Sequence, residues 1–281
     1  VLMQKTSFPF EIVISDDCST DGTREIVQEY HEKHPDKIRL ILSDKNLWNF
    51  RGNGHGSAIA LAVYEAGYRS KYNAILEGDD YWTRDDKLQI QVDFLESNPG
   101  YSACHHGFYQ LKIDGSYSTV KKNKKENNRY QNIKINTVIY NTNIYEDFIK
   151  QLMKFGTPGD MLLVLYIELK NGSIEISNLA GASLYRQHKD GKWTQLTDEY
   201  RAPFYTQYKK ACLDIIENCN SSLDYNKIYY GVIHDFQIYL EIYKKTKNYQ
   251  MYYKILIHLF VMVTKKNDFK GIIFCLKKIL I

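Results

Sequence analysis

Two groups of carboxylates could do chemistry, because each directly follows a short apolar segment. Asp16 and Asp17 come after Phe10-Glu11-Ile12-Val13-Ile14, inside the turn Ser15-Asp16-Asp17-Cys18-Ser19-Thr20-Asp21-Gly22-Thr23. Capping of a following helix accounts for one Asp or Thr in such a turn, but not for two adjacent carboxylates. Glu77, Asp79 and Asp80 come after Tyr72-Asn73-Ala74-Ile75-Leu76, in the string Glu77-Gly78-Asp79-Asp80-Tyr81-Trp82. Carboxylates this dense repel one another unless a cation or a donor-rich ligand lies among them, and Gly78 permits a tight turn or a close ligand approach. Oxygen donors of this kind suit Mg2+ or Mn2+, which are commonly held by one or two carboxylates and the phosphates of a substrate. An acidic entrance to a helix explains Asp85 and Asp86 better than it explains Glu77 or Asp79.

The elements that must position these groups alternate. The β-branched run 10–14 predicts a strand, 23–34 a helix that Asp21 or Thr23 can cap and Pro35 ends, and 38–42 a second strand. Residues 57–68 read as a buried helix, 72–76 as a third strand, and 85–96 as an amphipathic helix closed by Asn98-Pro99-Gly100. Such alternation predicts an α/β domain with a mostly parallel sheet covered by helices on both faces. In sheets of this kind ligands bind beyond the carboxyl ends of the strands, where both acidic groups lie. Further on, 108–113 is strand-like, the polar and basic stretch 121–132 reads as a solvated loop, 159–168 is helical, and 174–176 and 182–185 are short strands. The rest is helical in character, which divides the chain into 1–195 and a helical region 196–281, whose segments 249–264 and 269–281 are basic and amphipathic.

Composition narrows the classes. The chain has 281 residues, 44% hydrophobic and 25% charged, enough apolar material for a sizeable core. Thirty-seven Lys and Arg against 33 Asp and Glu are too even a balance to mark a nucleic-acid binder. Five cysteines without a C-x-x-C pair argue against a zinc site and for a reducing, cytosolic setting. The longest apolar run, 255–263, is broken by His258 and falls far short of the roughly 20 residues of a spanning helix. Gly52-x-Gly54-x-Gly56 lacks the spacing of a dinucleotide loop and the ending of a P-loop. His105 and His106, adjacent on a strand, point to opposite sides and cannot share one metal. Cys18, among carboxylates, is no nucleophile.

The strings FEIVISDDCSTDGT and AILEGDDYW, followed by DKLQIQVDFLESNP, strongly resemble family 2 glycosyltransferases of the GT-A type. The resemblance implies a Rossmann-like GT-A domain in which Asp16 and Asp17 hold the nucleotide base and ribose. Glu77-Gly78-Asp79 matches the family's D-x-D element, with Glu in the first place, so Asp79 is expected to bind Mn2+ or Mg2+ and Glu77 the nucleotide. Thr157-Pro158-Gly159-Asp160 resembles the segment that carries the catalytic base, a role that falls to Asp160. Leu184-Tyr185-Arg186-Gln187-His188-Lys189-Asp190-Gly191-Lys192-Trp193 resembles the stretch beside the diphosphate, which makes His188 a metal ligand and Arg186 or Lys189 a partner for phosphate, while Asp80 would assist Glu77 or Asp79.

The implied reaction is transfer of a sugar, a hexosyl group by family analogy, from a nucleotide-diphosphate donor to an acceptor hydroxyl with inversion. The acceptor would be a carbohydrate or lipid-linked, in polysaccharide or glycoconjugate synthesis at the cytoplasmic face of a bacterial membrane, with peripheral contact through the C-terminal helices and no nucleic acid involved. A nucleotidyltransferase that makes nucleotide sugars, or a non-catalytic cation-dependent binding module, would use similar acidic turns. Val1-Leu2-Met3-Gln4 resembles the end of the family's first helix, so the strand that precedes it in the family is expected to lie outside this sequence.

Overall fold

A computed structural model of the chain describes residues 1–46, 69–119, 133–144, 173–189 and 249–265, with isolated positions between these stretches. Outside the described residues lie most of the expected helix 57–68, the glycines 52–56, the basic stretch 121–132, Asp160, and the segments 190–239 and 273–281. The chain forms two compact units, Val1–Gly191 and Lys192–Ile281.

In the first unit the opening strand, β1 (Ile12–Asp16), pairs in parallel with β2 (Ile38–Leu42), with Ile12 opposite Ile38 and Asp16 opposite Leu42. Helix α1 (Thr23–Lys33) makes the crossover. Gly22, at φ +89°, starts it in a left-handed conformation that suits glycine, and Asp21 accepts the Thr23 N–H at 3.2 Å instead of capping the helix. Ile26 and Tyr30 of α1, spaced as a buried face, are about half exposed. The helix is tied down by polar contacts instead: Arg24 reaches back to Asp16, and His31 Nδ1 lies 2.7 Å from the Ile38 carbonyl.

Two further sheets follow. One has the order β3 (Tyr72–Ala74), β8 (Ile139–Asn141), β5 (Ala103–His105), β9 (Ser173–Glu175); the other β4 (Tyr81–Trp82), β10 (Ser183–Arg186), β6 (Tyr109–Leu111), β7 (Tyr117–Thr119). Pairing is mixed: β1–β2, β5–β9 and β6–β10 are parallel, and β3–β8, β5–β8, β4–β10 and β6–β7 antiparallel. The architecture is the α/β class that the alternation predicts, with more antiparallel pairing than it suggests; of the antiparallel pairs β6–β7 alone is a hairpin, and the others join strands far apart in the sequence. Gly181 occupies a junction that only glycine fits: its φ is +81° and a Cβ would stand 2.1 Å from the Tyr109 ring.

The core gathers where helix α2 (Lys87–Ser97) covers the sheet of β5 and β8. Leu88 and Leu95 of α2 pack with Trp82, Cys104, Ile139, Ile176 and Leu179, each side chain contributing about 1.5–3 kcal/mol of hydrophobic burial. Lys87 is fully buried, with its ammonium 4.3 Å from the Trp82 ring centre and bonded to Gln91 Oε1 at 2.6 Å. Burial pushes its pKa down to about 7.

The entrance of α2 is not capped from within its own sequence. Asp85 pairs with Lys5 at 2.6 Å and Asp86 with Arg84 at 2.7 Å, while the orphan Leu88 N–H donates to Gln4 Oε1 at 3.0 Å. Gln4 in turn donates to the Arg84 carbonyl at 2.5 Å, so one buried amide side chain stitches the N-terminal segment to the helix start. In the second unit α3 (Tyr249–Lys265) buries Tyr252, Leu256, Leu259 and Val263. No helix among the described residues is long and apolar enough to cross a membrane.

The Gln4 bridge yields a prediction. Gln4→Ala leaves a helix-terminal N–H and a carbonyl without their partner, and is expected to destabilise the first unit by about 2 kcal/mol, lowering the thermal midpoint by about 5 °C. Calorimetry checks it; an unchanged midpoint would show that the bridge contributes nothing.

Candidate active site

At the tip of β1 the two adjacent aspartates have different surroundings. Asp16 is buried, at 4% exposure, and its carboxylate accepts the Ser19 N–H at 3.2–3.3 Å and Arg24 through Nε at 2.8 Å and Nη2 at 2.7 Å. Burial alone would raise its pKa, but the bonds from Ser19 and Arg24 outweigh burial and hold it below the ordinary carboxylate value. Arg24 is fixed further by the Ser43 carbonyl. Asp16 therefore braces the turn against α1, whereas Asp17 is half-buried, with its carbonyl accepting Asn46 Nδ2 at 3.2 Å. Cys18 turns the chain through φ +60° and its thiol faces the Asp44 carbonyl at 3.7 Å, a structural position.

Beyond β3 the chain closes a turn through the Asp80 N–H to Glu77 carbonyl bond of 3.1 Å. Gly78 sits there in open space without a positive φ, so the backbone itself does not demand glycine. Against this turn lies the end of β10. His188 Nε2 stands 3.1 Å from Asp79 Oδ2, Arg186 Nε donates to the Asp79 carbonyl at 2.9 Å, and the Arg186 N–H donates to Asp80 Oδ1 at 2.9 Å. Asp79, Asp80, Arg186 and His188 thus converge, although more than 100 residues separate the two segments.

As at β1, one carboxylate of the pair is internal. Asp80 is 7% exposed and burial pushes its pKa up to about 6; the Arg186 N–H opposes this, the charge of Asp79 adds to it, and Lys134 and Asn136 oppose it. Asp79 and His188 are open, with side chains 44% and 36% exposed. Glu77 is half-buried, Arg186 exposed. No cluster of three His, Cys, Asp or Glu side chains forms among the described residues. Asp79 and His188 supply one oxygen and one nitrogen donor, half-open to solvent, a set that fits a divalent ion completed by substrate phosphates.

Asn136 and Lys134 belong to this site without having been marked by the sequence. Asn136 donates Nδ2 to Asp80 Oδ2 at 2.7 Å, and Lys134 lies over the Tyr185 ring, 4.0 Å from its centre, close enough for its charge to act on Asp80. The available signal was a polar pair, Asn136-Thr137, inside the otherwise apolar Ile135-Asn136-Thr137-Val138-Ile139-Tyr140, where buried polar groups must find partners. Of the two adjacent histidines, His106 is buried beside Ser183 Oγ at 3.4 Å, and burial holds its pKa down to about 3. Asp160 lies outside the described residues.

The Asp16–Arg24 pair gives a stability test. Arg24→Met strands a buried carboxylate and is expected to lower unfolding free energy by about 3 kcal/mol, most of which the double variant Asp16→Asn/Arg24→Met recovers. Because Asp16 titrates below its unfolded value of about 3.9, the stabilisation is present above that pH and is lost as pH falls through the lowered folded value. Urea titrations between pH 2 and 7 check both statements; equal losses in the single and double variants would refute the first.

Comparison with known proteins places the chain in a family. Residues 1–155 match the family model for glycosyl transferase family 2. An uncharacterised protein of Mycobacterium tuberculosis strain H37Rv is 38% identical over 116 residues, covering 40% of this chain and 30% of that protein. The putative teichuronic acid biosynthesis glycosyltransferase TuaG of Bacillus subtilis is 32% identical over 131 residues, 46% of this chain and 47% of its own. The UDP-Glc:alpha-D-GlcNAc-diphosphoundecaprenol beta-1,3-glucosyltransferase WfaP of Escherichia coli is 27% identical over 142 residues, 49% and 51% respectively. The matched stretches span between 30% and 51% of these relatives. With more than half of its length fitting the family model and acidic strand ends arranged as described, the chain belongs to glycosyl transferase family 2.

Proposed function

We propose that the chain transfers a sugar, as a hexosyl group, from a nucleotide-diphosphate donor to an acceptor hydroxyl, with inversion at the anomeric carbon. The observation that carries this reading is the convergence of Asp79 and His188, with Arg186 beside them, beyond the strand ends. Asp16 and Asp17 are the groups for the nucleotide base and ribose, Asp16 also bracing the turn that presents Asp17, and Glu77 adds to the ribose contact. Asp79 and His188 would hold Mn2+ or Mg2+. When bound, that ion supplies charge neutralisation to the departing diphosphate. The exposed guanidinium of Arg186 offsets phosphate charge from the protein side. Asp160 takes the proton from the acceptor hydroxyl, which is a weak nucleophile at neutral pH without a positioned base.

Two of these relatives, one named for teichuronic acid biosynthesis and one for a diphosphoundecaprenol acceptor, favour a carbohydrate or lipid-linked acceptor in glycan synthesis. Peripheral contact with a membrane at its cytoplasmic face accords with that chemistry. Tyr249, Tyr253, Ile257 and Val261 of α3 are exposed at four-residue spacing. The same region carries Lys244, Lys245, Lys247, Lys254, Lys265, Lys266, Lys270, Lys277 and Lys278 against Glu241 and Asp268. An apolar stripe in a basic segment suits an anionic bilayer surface.

Three measurements test the proposal. Release of nucleoside diphosphate from a panel of sugar donors is expected to require Mn2+ or Mg2+ and to stop with EDTA. Asp160→Asn is expected to lower turnover by about 10²–10⁴-fold with nucleotide binding retained, and Asp79→Asn to weaken binding itself. Unchanged turnover in Asp160→Asn would exclude its role as base. Sedimentation with phosphatidylglycerol vesicles is expected to carry the protein down, and Tyr253→Asp/Ile257→Asp to release it; equal sedimentation of both proteins refutes the membrane face.

A further inference from the structure

Asn136 is completely buried, on the 3-10 turn Ile135–Thr137, and ties that turn to the paired segments Asp80–Trp82 and Ser183–Leu184. Its Nδ2 donates to Asp80 Oδ2 at 2.7 Å and faces the Leu184 carbonyl at 3.5 Å. Its own carbonyl accepts the Trp82 indole N–H and the Ser183 hydroxyl, each at 2.9 Å. Its Oδ1 is buried without a hydrogen-bond partner. The amide cannot be turned over to relieve this, because both groups facing Nδ2 are acceptors and would repel an oxygen.

What the donor secures is the far side of Asp80. With Oδ2 held by Asn136, Oδ1 accepts the Arg186 N–H, and that same residue sends Nε to the Asp79 carbonyl. Two residues further on, His188 meets Asp79. Beyond the β4–β10 pairing, the turn that carries Asp79 and the strand end that carries His188 are therefore joined through the Asp80 carboxylate, whose second oxygen Asn136 holds.

We propose that Asn136 is a positioning residue of the donor site: by holding Asp80 against the Arg186 amide it sets the separation of Asp79 and His188, and so the affinity for the cation and diphosphate, without touching either. This inference rests on the reading of Asp79 and His188 as the donor and cation site.

The test compares Asn136→Ala with Ser183→Ala in the full chain. Both remove a buried hydrogen bond at the same junction, but only the first severs the link to Asp80. In Asn136→Ala, hydrogen exchange of the peptide containing the Arg186 amide is expected to accelerate at least tenfold, and the Mn2+ concentration for half-saturation, read by electron paramagnetic resonance, to rise at least tenfold. Ser183→Ala is expected to keep both within twofold. Wild-type values in Asn136→Ala, or the same loss in Ser183→Ala, overturn the positioning role while leaving the donor site in place. No Mn2+ binding by the unsubstituted protein overturns the donor-site reading and the positioning role with it.

Discussion

An ionised carboxylate inside a fold is stable only where donors converge on it, and at Asp80 they come from residues 56 and 106 positions away in the sequence. The site depends on that convergence. Asp80 lies in the turn after β3, Asn136 before β8 and Arg186 at the end of β10, so three separate crossings of the chain are registered against one side chain. Take the carboxylate away and the Arg186 amide loses its acceptor while Asn136 is left with a buried donor as well as a buried acceptor. The pKa of about 6 shows the tension: burial favours the neutral acid, and the donors keep the ion competitive.

The surrounding packing makes the convergence rigid. Trp82 follows Asp80 by two residues and is pinned at both its polar and its apolar parts, through the indole N–H to Asn136 and the ring to the Lys87 ammonium. Lys87 begins α2, whose Leu88 N–H is capped by Gln4 and whose Gln91 donates to the Thr137 carbonyl beside Asn136. A helix start, an indole and the 3-10 turn are thus parts of one hydrogen-bonded unit. Polar groups at this depth are tolerated because nearly all of them have partners, and such networks specify one arrangement more strictly than apolar contacts do.

Much of this was legible in the sequence, and the limits have physical causes. β1, α1, β2, β3 and α2 fall within about two residues of their predicted positions, since β-branched runs, Pro35 and Asn98-Pro99-Gly100 act locally. β4, β7 and β8 were not predicted; two or three residues are too few to show a period. The acidic strand ends were marked by residue type and the Arg186–His188 stretch by its resemblance to the family; Asp79 and His188 lie 3.1 Å apart. Asn136 and Gln4 escaped because an amide side chain announces nothing until its burial and its distant partner are known. Asp85 and Asp86 suggested a local cap for α2, whereas basic neighbours claimed both carboxylates and left the N–H to Gln4.

The aspartate pairs resolve a question that residue type alone left open. In an extended or tightly turning segment adjacent side chains point different ways, so two consecutive carboxylates at a strand tip cannot share one environment. At β1 the first of the pair, Asp16, is internal and Asp17 half-buried; after β3 the second, Asp80, is internal and Asp79 open. Each internal member is held in a different electrostatic state, Asp16 by a guanidinium that keeps it ionised and Asp80 by a backbone N–H and an amide that offset its burial only in part. The doubling of acidic residues therefore serves two purposes at once. One carboxylate fixes the loop from inside, and its neighbour is presented at a position that the loop alone could not hold.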